Sequence, residues 1–213
     1  MNNNLKNKTN IELNDLGAGS KKHHSEIRSI AQITKTTAIP AKYGRLLYRL
    51  TQWSKSKKIL ELGTGMGVST AYFALASGPD SLTYSIEGSA SLIPFAKENI
   101  KMLKANEKIC FYNGNFDTLL APVLIKMGKA DIVLMDGNHK KEASLRYFRQ
   151  ILPYLHNESI VVMDDIRWSE EMLEAWEEIK KYPEVRCSID LFRMGLLFFK
   201  KELLKPQHVS YKY

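Results

Sequence analysis

From Lys57 onward two periodicities alternate along the chain. Short apolar runs, "KKILEL", "SLTYSIE", "KICFYNG", "ADIVLMD" and "SIVVMDD", read as strands. Each is followed by a stretch with apolar residues at helical spacing: "VSTAYFALA", "SLIPFAKENIKMLKA", "DTLLAPVLIKM", "KEASLRYFRQILPYL" and "EEMLEAWEEIKKY". Strands alternating with helices predict a parallel sheet covered on both faces. The closing segments "EVRCSIDL" and "GLLFFKKE" lie too close together for a crossover helix, so they are expected to form an antiparallel hairpin. The expected fold is therefore α/β: a doubly wound, mostly parallel sheet of seven strands with an antiparallel terminal hairpin. In such a sheet ligands bind at the carboxyl ends of the strands.

Ahead of Lys57 the pattern predicts two helices, over 25–37 and 40–53, divided by Pro40. Tyr43, Leu46, Leu47 and Leu50 recur at helical spacing in the second. Residues 1–10 are rich in Asn and Lys and are expected to be disordered. A chain of 213 residues suits one domain with a full core. It has no apolar run long enough to span a membrane, and "MNNNLKNKTN" has no apolar core of a secretory signal. The expected location is the cytoplasm. Cys110 and Cys187 lie in apolar stretches without metal-ligand spacing and are expected to be buried free thiols. The net charge of +8 is spread along the chain. It fits basic tails and a solvated surface, so a nucleic-acid partner is not expected from it.

Two stretches combine an acidic residue, a leucine and two closely spaced glycines: "ELGTGMG" at 61–67 and "DLGAGS" at 15–20. The first joins a good strand to a good helix. There, glycines permit a tight turn and close approach of a ligand, and the helix amino-terminus offers free N–H groups. The second follows the polar "NIELN" and precedes "KKHHSE". It reads as a surface turn or as a lid over the site, and His23 and His24 read as solvated. The first loop is not a dinucleotide fingerprint, because Val68 stands where the third glycine would fall. The strand after it ends in Glu87, where a carboxylate can accept both ribose hydroxyls of a nucleoside.

"ILELGTGMGVST", the acidic end of "YSIEGS", "FYNGNFDTLL", "ADIVLMDGNH" and "SIVVMDDIRW" together resemble the ordered motifs of class I S-adenosylmethionine-dependent methyltransferases, a Rossmann-like family. The resemblance covers roughly residues 55–200. It implies that residues 55–213 form the S-adenosylmethionine-binding domain, behind a region, 1–54, of tail, turn and helices able to act as a lid. It also implies that Glu61, Gly63, Thr64 and Gly65 line the methionine part of the cofactor, with Ser69 nearby. Glu87 would hold the ribose, and Asn115 and Phe116 would lie by the adenine.

Asp136, Asp164 and Asp165 end the fourth and fifth strands. Unpaired, three such acids would repel one another and resist ionisation. Two readings fit. A divalent cation such as Mg2+ binds all three, or Asp136 contacts the cofactor while the Asp164–Asp165 pair caps the next helix. The pattern is similar to the catechol and caffeoyl-CoA type O-methyltransferases, in which acids at these positions bind magnesium. The chain departs from that type at Asp165, where the family has Asn, at His139, where it has Lys, and at "HNES" before the fifth strand. His139 reads either as a general base, since an imidazole titrates near neutrality, or as a surface residue at a helix start. Trp168 reads as core or as a wall of the acceptor site. The expected function is O-methylation of a small-molecule hydroxyl, with His139 and Asp136 catalytic. The alternatives are an RNA or protein methyltransferase and an inactive cofactor-binding interaction protein. Nothing in the sequence speaks against a homodimer.

Overall fold

The computed structural model describes residues 6–13, 27–105 and 108–213. The "DLGAGS" motif, His23 and His24 lie outside the described residues. The alternating segments form the expected strands and helices. They are β3 (Lys58–Leu62), α3 (Val68–Ala76), β4 (Leu82–Glu87), α4 (Ile93–Met102), β5 (Ile109–Asn113), α5 (Phe116–Met127), β6 (Ile132–Met135), α6 (Lys141–Ile151), β7 (Ile160–Met163) and α7 (Glu170–Ile179). The hairpin follows as β8 (Cys187–Asp190) and β9 (Gly195–Phe198), paired antiparallel. Ahead of them lie β1 (Asn10–Glu12), β2 (Ile27–Ser29), α1 (Ile30–Thr37) and α2 (Ala41–Ser54).

The main sheet has the order β10-β8-β9-β7-β6-β3-β4-β5, where β10 is Gln207–Ser210. β3, β4, β5, β6 and β7 pair in parallel, and β9 enters antiparallel against β7. The order reverses beside β3, which puts the crevice of a doubly wound sheet at its carboxyl end. Among the described residues the sheet thus has eight strands where the sequence predicted seven. The extra strand, "QHVS", is exposed at every position and lies at the edge, so no hydrophobic alternation marks it.

Period-two alternation sorts the strands between two cores. Leu60, Leu62, Val133, Met135, Val161 and Met163 pack beneath α5, α6 and α7, around fully buried Trp176 and Phe148. Ile59, Ile132, Leu134, Ile160 and Val162 face the opposite way, toward Leu47 of α2 and Phe73 of α3. Glu61 shares the face of Ile59, so a carboxylate is driven into an apolar layer. Among the described residues no helix is long and apolar enough to cross a membrane.

The first predicted helix starts later than its sequence pattern. Residues 27–29 instead pair antiparallel with 10–12. Ser29 then opens α1 with a capping box: its hydroxyl accepts from the Gln32 N–H, and the Gln32 side chain accepts from the Ser29 N–H. Ile30 and Ile33 of α1 are buried against Met66 of the glycine loop and Leu92. Cys110 and Cys187 are free but only half-buried, not fully buried as expected. The outer strands that carry them are less covered than the sheet centre.

Candidate active site

The strand register brings the candidate residues together. Leu62 pairs with Met135, and Met135 with Met163, so β3, β6 and β7 end level. The next residues in each strand are Gly63, Asp136 and Asp164. Asp136 N–H donates to the Leu62 carbonyl at 2.9 Å, and Asp164 N–H to the Met135 carbonyl at 3.0 Å.

Gly63, Gly65 and Gly67 have φ of +98°, +52° and +75°. Gly63 has no room for a side chain, because a Cβ there would lie 1.9 Å from the Asp136 carbonyl oxygen. Gly65 is freer; its nearest neighbour would be Thr37 Oγ1 at 3.8 Å. The Gly65 N–H donates to Glu87 Oε2 and the Ser89 N–H to Glu87 Oε1, both at 2.8 Å. Each carboxylate oxygen of Glu87 thus accepts a backbone bond.

Glu61 lies beneath the loop with no solvent exposure. Its Oε2 accepts from the hydroxyls of Thr70, at 2.6 Å, and Ser85, and Thr64 Oγ1 adjoins Ser85 Oγ. Its Oε1 is buried without a hydrogen-bond partner. Burial pushes its pKa up to about 7, against the opposing hydroxyls of Ser69, Ser85 and Thr70, from an ordinary 4.5. The folded state therefore binds this proton more tightly than the unfolded chain. The stability it contributes is intact at low pH and is lost as pH rises from 4.5 to 7. A shift of that size corresponds to about 3 kcal/mol. Glu61→Gln, which removes the buried charge, is expected to stabilise the ligand-free protein at pH 8 by about 1–3 kcal/mol. The gain should shrink as pH falls toward the ordinary carboxylate range. Urea unfolding at several pH values checks this, and a variant less stable than wild type at pH 8 contradicts it.

Asn115 caps α5, its side chain accepting from the Asp117 N–H at 2.8 Å. The Phe116 ring closes on Gly137 and meets Tyr147 edge-on at 5.7 Å. Asn138, with φ +50°, donates from its amide to the Tyr147 hydroxyl at 3.0 Å and fixes the turn that leads to His139. His139 Nε2 lies 3.8 Å from Asp136 Oδ1, with both side chains about one-fifth exposed. The ring of Trp168 is 6.0 Å from that of His139, and Trp168 is 40% exposed. That exposure fits a wall of the site and not a core residue.

The three strand-tip acids do gather, but the structure divides them differently from the expected metal trio. Asp164 is fully buried and held at both oxygens by Arg193, at 3.0 and 2.9 Å. The atoms that approach one another within 4.8 Å belong to Asp136, His139 and Asp165. Burial and the neighbouring Asp164 and Asp165 carboxylates hold Asp136 well above the ordinary range, while Arg193 opposes the shift. Burial, then Asp164, raises Asp165 as well. The sequence reading missed Arg193, because its place depends on the hairpin register. It also missed Thr70 and Ser85, although a buried Glu61 implies hydroxyl donors around it.

A methyltransferase-domain family matches residues 60–166, from β3 to the residue after Asp165. The chain belongs to this methyltransferase family. It is 25% identical over 130 residues to a catechol O-methyltransferase of Mycobacterium tuberculosis, an alignment covering 61% of this chain and 57% of that protein. The chain thus matches little more than half the length of that relative. Among solved methyltransferases, the O-methyltransferase TomG of Streptomyces achromogenes, involved in tomaymycin synthesis and in complex with SAM, superposes with a TM-score of 0.70. The two are 21% identical over 80% of this chain and 87% of that one. An O-methyltransferase of Bacillus cereus in complex with SAH gives 0.67 at 18% identity, over 76% and 83%. At these identities the likeness establishes the methyltransferase fold.

Proposed function

We propose that the protein is an S-adenosylmethionine-dependent O-methyltransferase acting on a small-molecule hydroxyl in the cytoplasm. The observation that carries this reading is the alignment of strand tips. It sets a glycine loop, a nucleoside-type carboxylate at Glu87 and the Asp136–His139 pair around one crevice. The buried, unpartnered Oε1 of Glu61 beneath the glycine loop fits a cationic ligand laid along that loop. Glu61, Gly63, Thr64, Gly65 and Ser69 would hold the methionine part, Glu87 the ribose, and Asn115 and Phe116 the adenine side. When bound, the cofactor supplies an electrophilic methyl group on a positively charged sulfur.

The rest falls to side chains of this protein. Methyl transfer needs an aligned, deprotonated nucleophile. His139 would take the proton of the acceptor hydroxyl and so make that oxygen the nucleophile. Asp136, 3.8 Å away, is held above the ordinary carboxylate range, and in its ionised form it stabilises the imidazolium that results. Trp168 gives the acceptor a flat apolar wall beside His139.

Incubation with methyl-labelled cofactor and separate pools of hydroxyl metabolites, RNA and protein tests the reading. Label is expected on small-molecule hydroxyls. Label on RNA or protein, with the metabolite pool left blank, contradicts it.

A further inference from the structure

Asp164 ends β7 fully buried, beside two more carboxylates, and such a charge is costly without a positive partner. The chain supplies that partner. Arg193 Nε and Nη2 donate to the two oxygens of Asp164, the two-pronged geometry that suits a guanidinium to a carboxylate. Its Nη2 also lies 3.3 Å from Asp165 Oδ1.

The guanidinium is fixed from two sides. It projects from the turn between β8 and β9, and that turn is tied to the Asp165 loop, where the Ile166 N–H donates to the Arg193 carbonyl at 2.9 Å. The preceding residue, Phe192, has φ +73°, and its N–H donates to Asp190 Oδ1 at 2.8 Å. A bulky residue rarely takes that conformation, so the turn is held in place by its contacts.

The donors that remain at the strand tips do not fit magnesium. Magnesium is held by oxygen ligands in a near-octahedral shell. Here Asp164 is engaged at both oxygens, and the neighbouring set is two carboxylates and an imidazole. A divalent ion on Asp165 would also stand close to the Arg193 guanidinium, a like charge.

We propose that Arg193 is the resident cation of the strand-tip acids, so that the cluster draws its counter-charge from the chain and methyl transfer needs no divalent ion. Arg193 is a positioning residue in this scheme. It holds Asp164 and Asp165 at the floor of the site while Asp136 and His139 face the acceptor. The inference rests on the methyltransferase reading. A wrong reading would appear as failed cofactor binding, whereas a wrong role for Arg193 would appear in metal binding.

The test is a titration with manganese, followed by the spin-resonance signal of the free ion. Wild type is expected to show no saturable binding up to about 1 mM, the weak end of protein divalent sites. Arg193→Gln leaves the acids without a counter-charge and is expected to bind manganese at least about tenfold more tightly. Arg193→Lys keeps the charge but loses the fork. It should remain silent to manganese, with kcat reduced about tenfold and cofactor affinity unchanged within about twofold. If Arg193→Gln fails to fold, the wild-type and Arg193→Lys titrations decide. Saturable manganese binding by wild type that disappears in Asp136→Asn overturns the proposal. So does turnover that is lost in a chelator and restored by magnesium or manganese.

Discussion

Gly63→Ala is expected to abolish cofactor binding and to cost the fold several kcal/mol, on the order of 3 or more. The new Cβ would meet the Asp136 carbonyl oxygen at 1.9 Å, and both partners are backbone. Neither can move freely, because Gly63 N–H donates to the Ile86 carbonyl and Asp136 N–H to the Leu62 carbonyl, each at 2.9 Å. Relief would require β3 and β6 to part at the point where the glycine loop begins. The φ of +98° adds a strain that any L side chain feels. Gly65 is the contrast. At φ +52°, with only the ordinary contact of Thr37 Oγ1 at 3.8 Å, its replacement by Val should leave the fold largely intact while removing binding, since the loop surface then carries a side chain. A left-handed alanine at this position should cost only about 1–2 kcal/mol. Thermal melts paired with cofactor titrations separate the two glycines. A Gly63→Ala protein as stable as wild type would remove the account of this turn.

His139→Ala is expected to lower kcat by roughly 10²–10⁴-fold, the usual contribution of a positioned general base. The affinity for cofactor should change by less than about twofold, because the proposed arrangement puts His139 toward the acceptor and gives the loop to other residues. The geometry motivates this split. His139 stands 3.8 Å from Asp136 and beside Trp168, across the strand tips from Glu87. Truncating the imidazole removes the proposed proton acceptor and leaves the glycine loop untouched. The rate would be measured on the hydroxyl acceptor found with labelled cofactor. An unchanged kcat would give the proton to another group, and loss of cofactor binding would move His139 to the other half of the site.

Much of this arrangement was legible in the sequence because it depends on local pattern. Period-two strands alternating with helices gave the order of elements, and level strand ends then follow from parallel pairing. Glu61, Gly63, Glu87, Asp136 and Asp164 all sit at or just beyond strand tips, so their convergence was readable. Contacts set by register were not. Arg193 meets Asp164 only because β9 inserts antiparallel beside β7, which no spacing in "DLFRMG" announces. The amino-terminal region shows a different limit. It reads as a region able to act as a lid, and the structure packs Ile30 and Ile33 on Met66 of the glycine loop, with Thr37 by Gly65. The apolar spacing of α1 shows that it buries a face but does not say against what. β10 escaped notice because an edge strand held by backbone pairing and a Ser188–His208 side-chain hydrogen bond needs no apolar residue.

The most direct test of the central claim is calorimetric titration of S-adenosylhomocysteine into the wild-type protein and Glu87→Ala. The carboxylate of Glu87, the proposed ribose acceptor, is anchored by the Gly65 and Ser89 N–H groups, so its position does not depend on ligand. One saturable site per chain is expected in wild type. In the variant it should weaken by about 1.5–3 kcal/mol, or about 10–150-fold, the scale of a hydrogen bond to a charged group. No binding by folded wild-type protein, or equal affinity in the two proteins, would contradict the account.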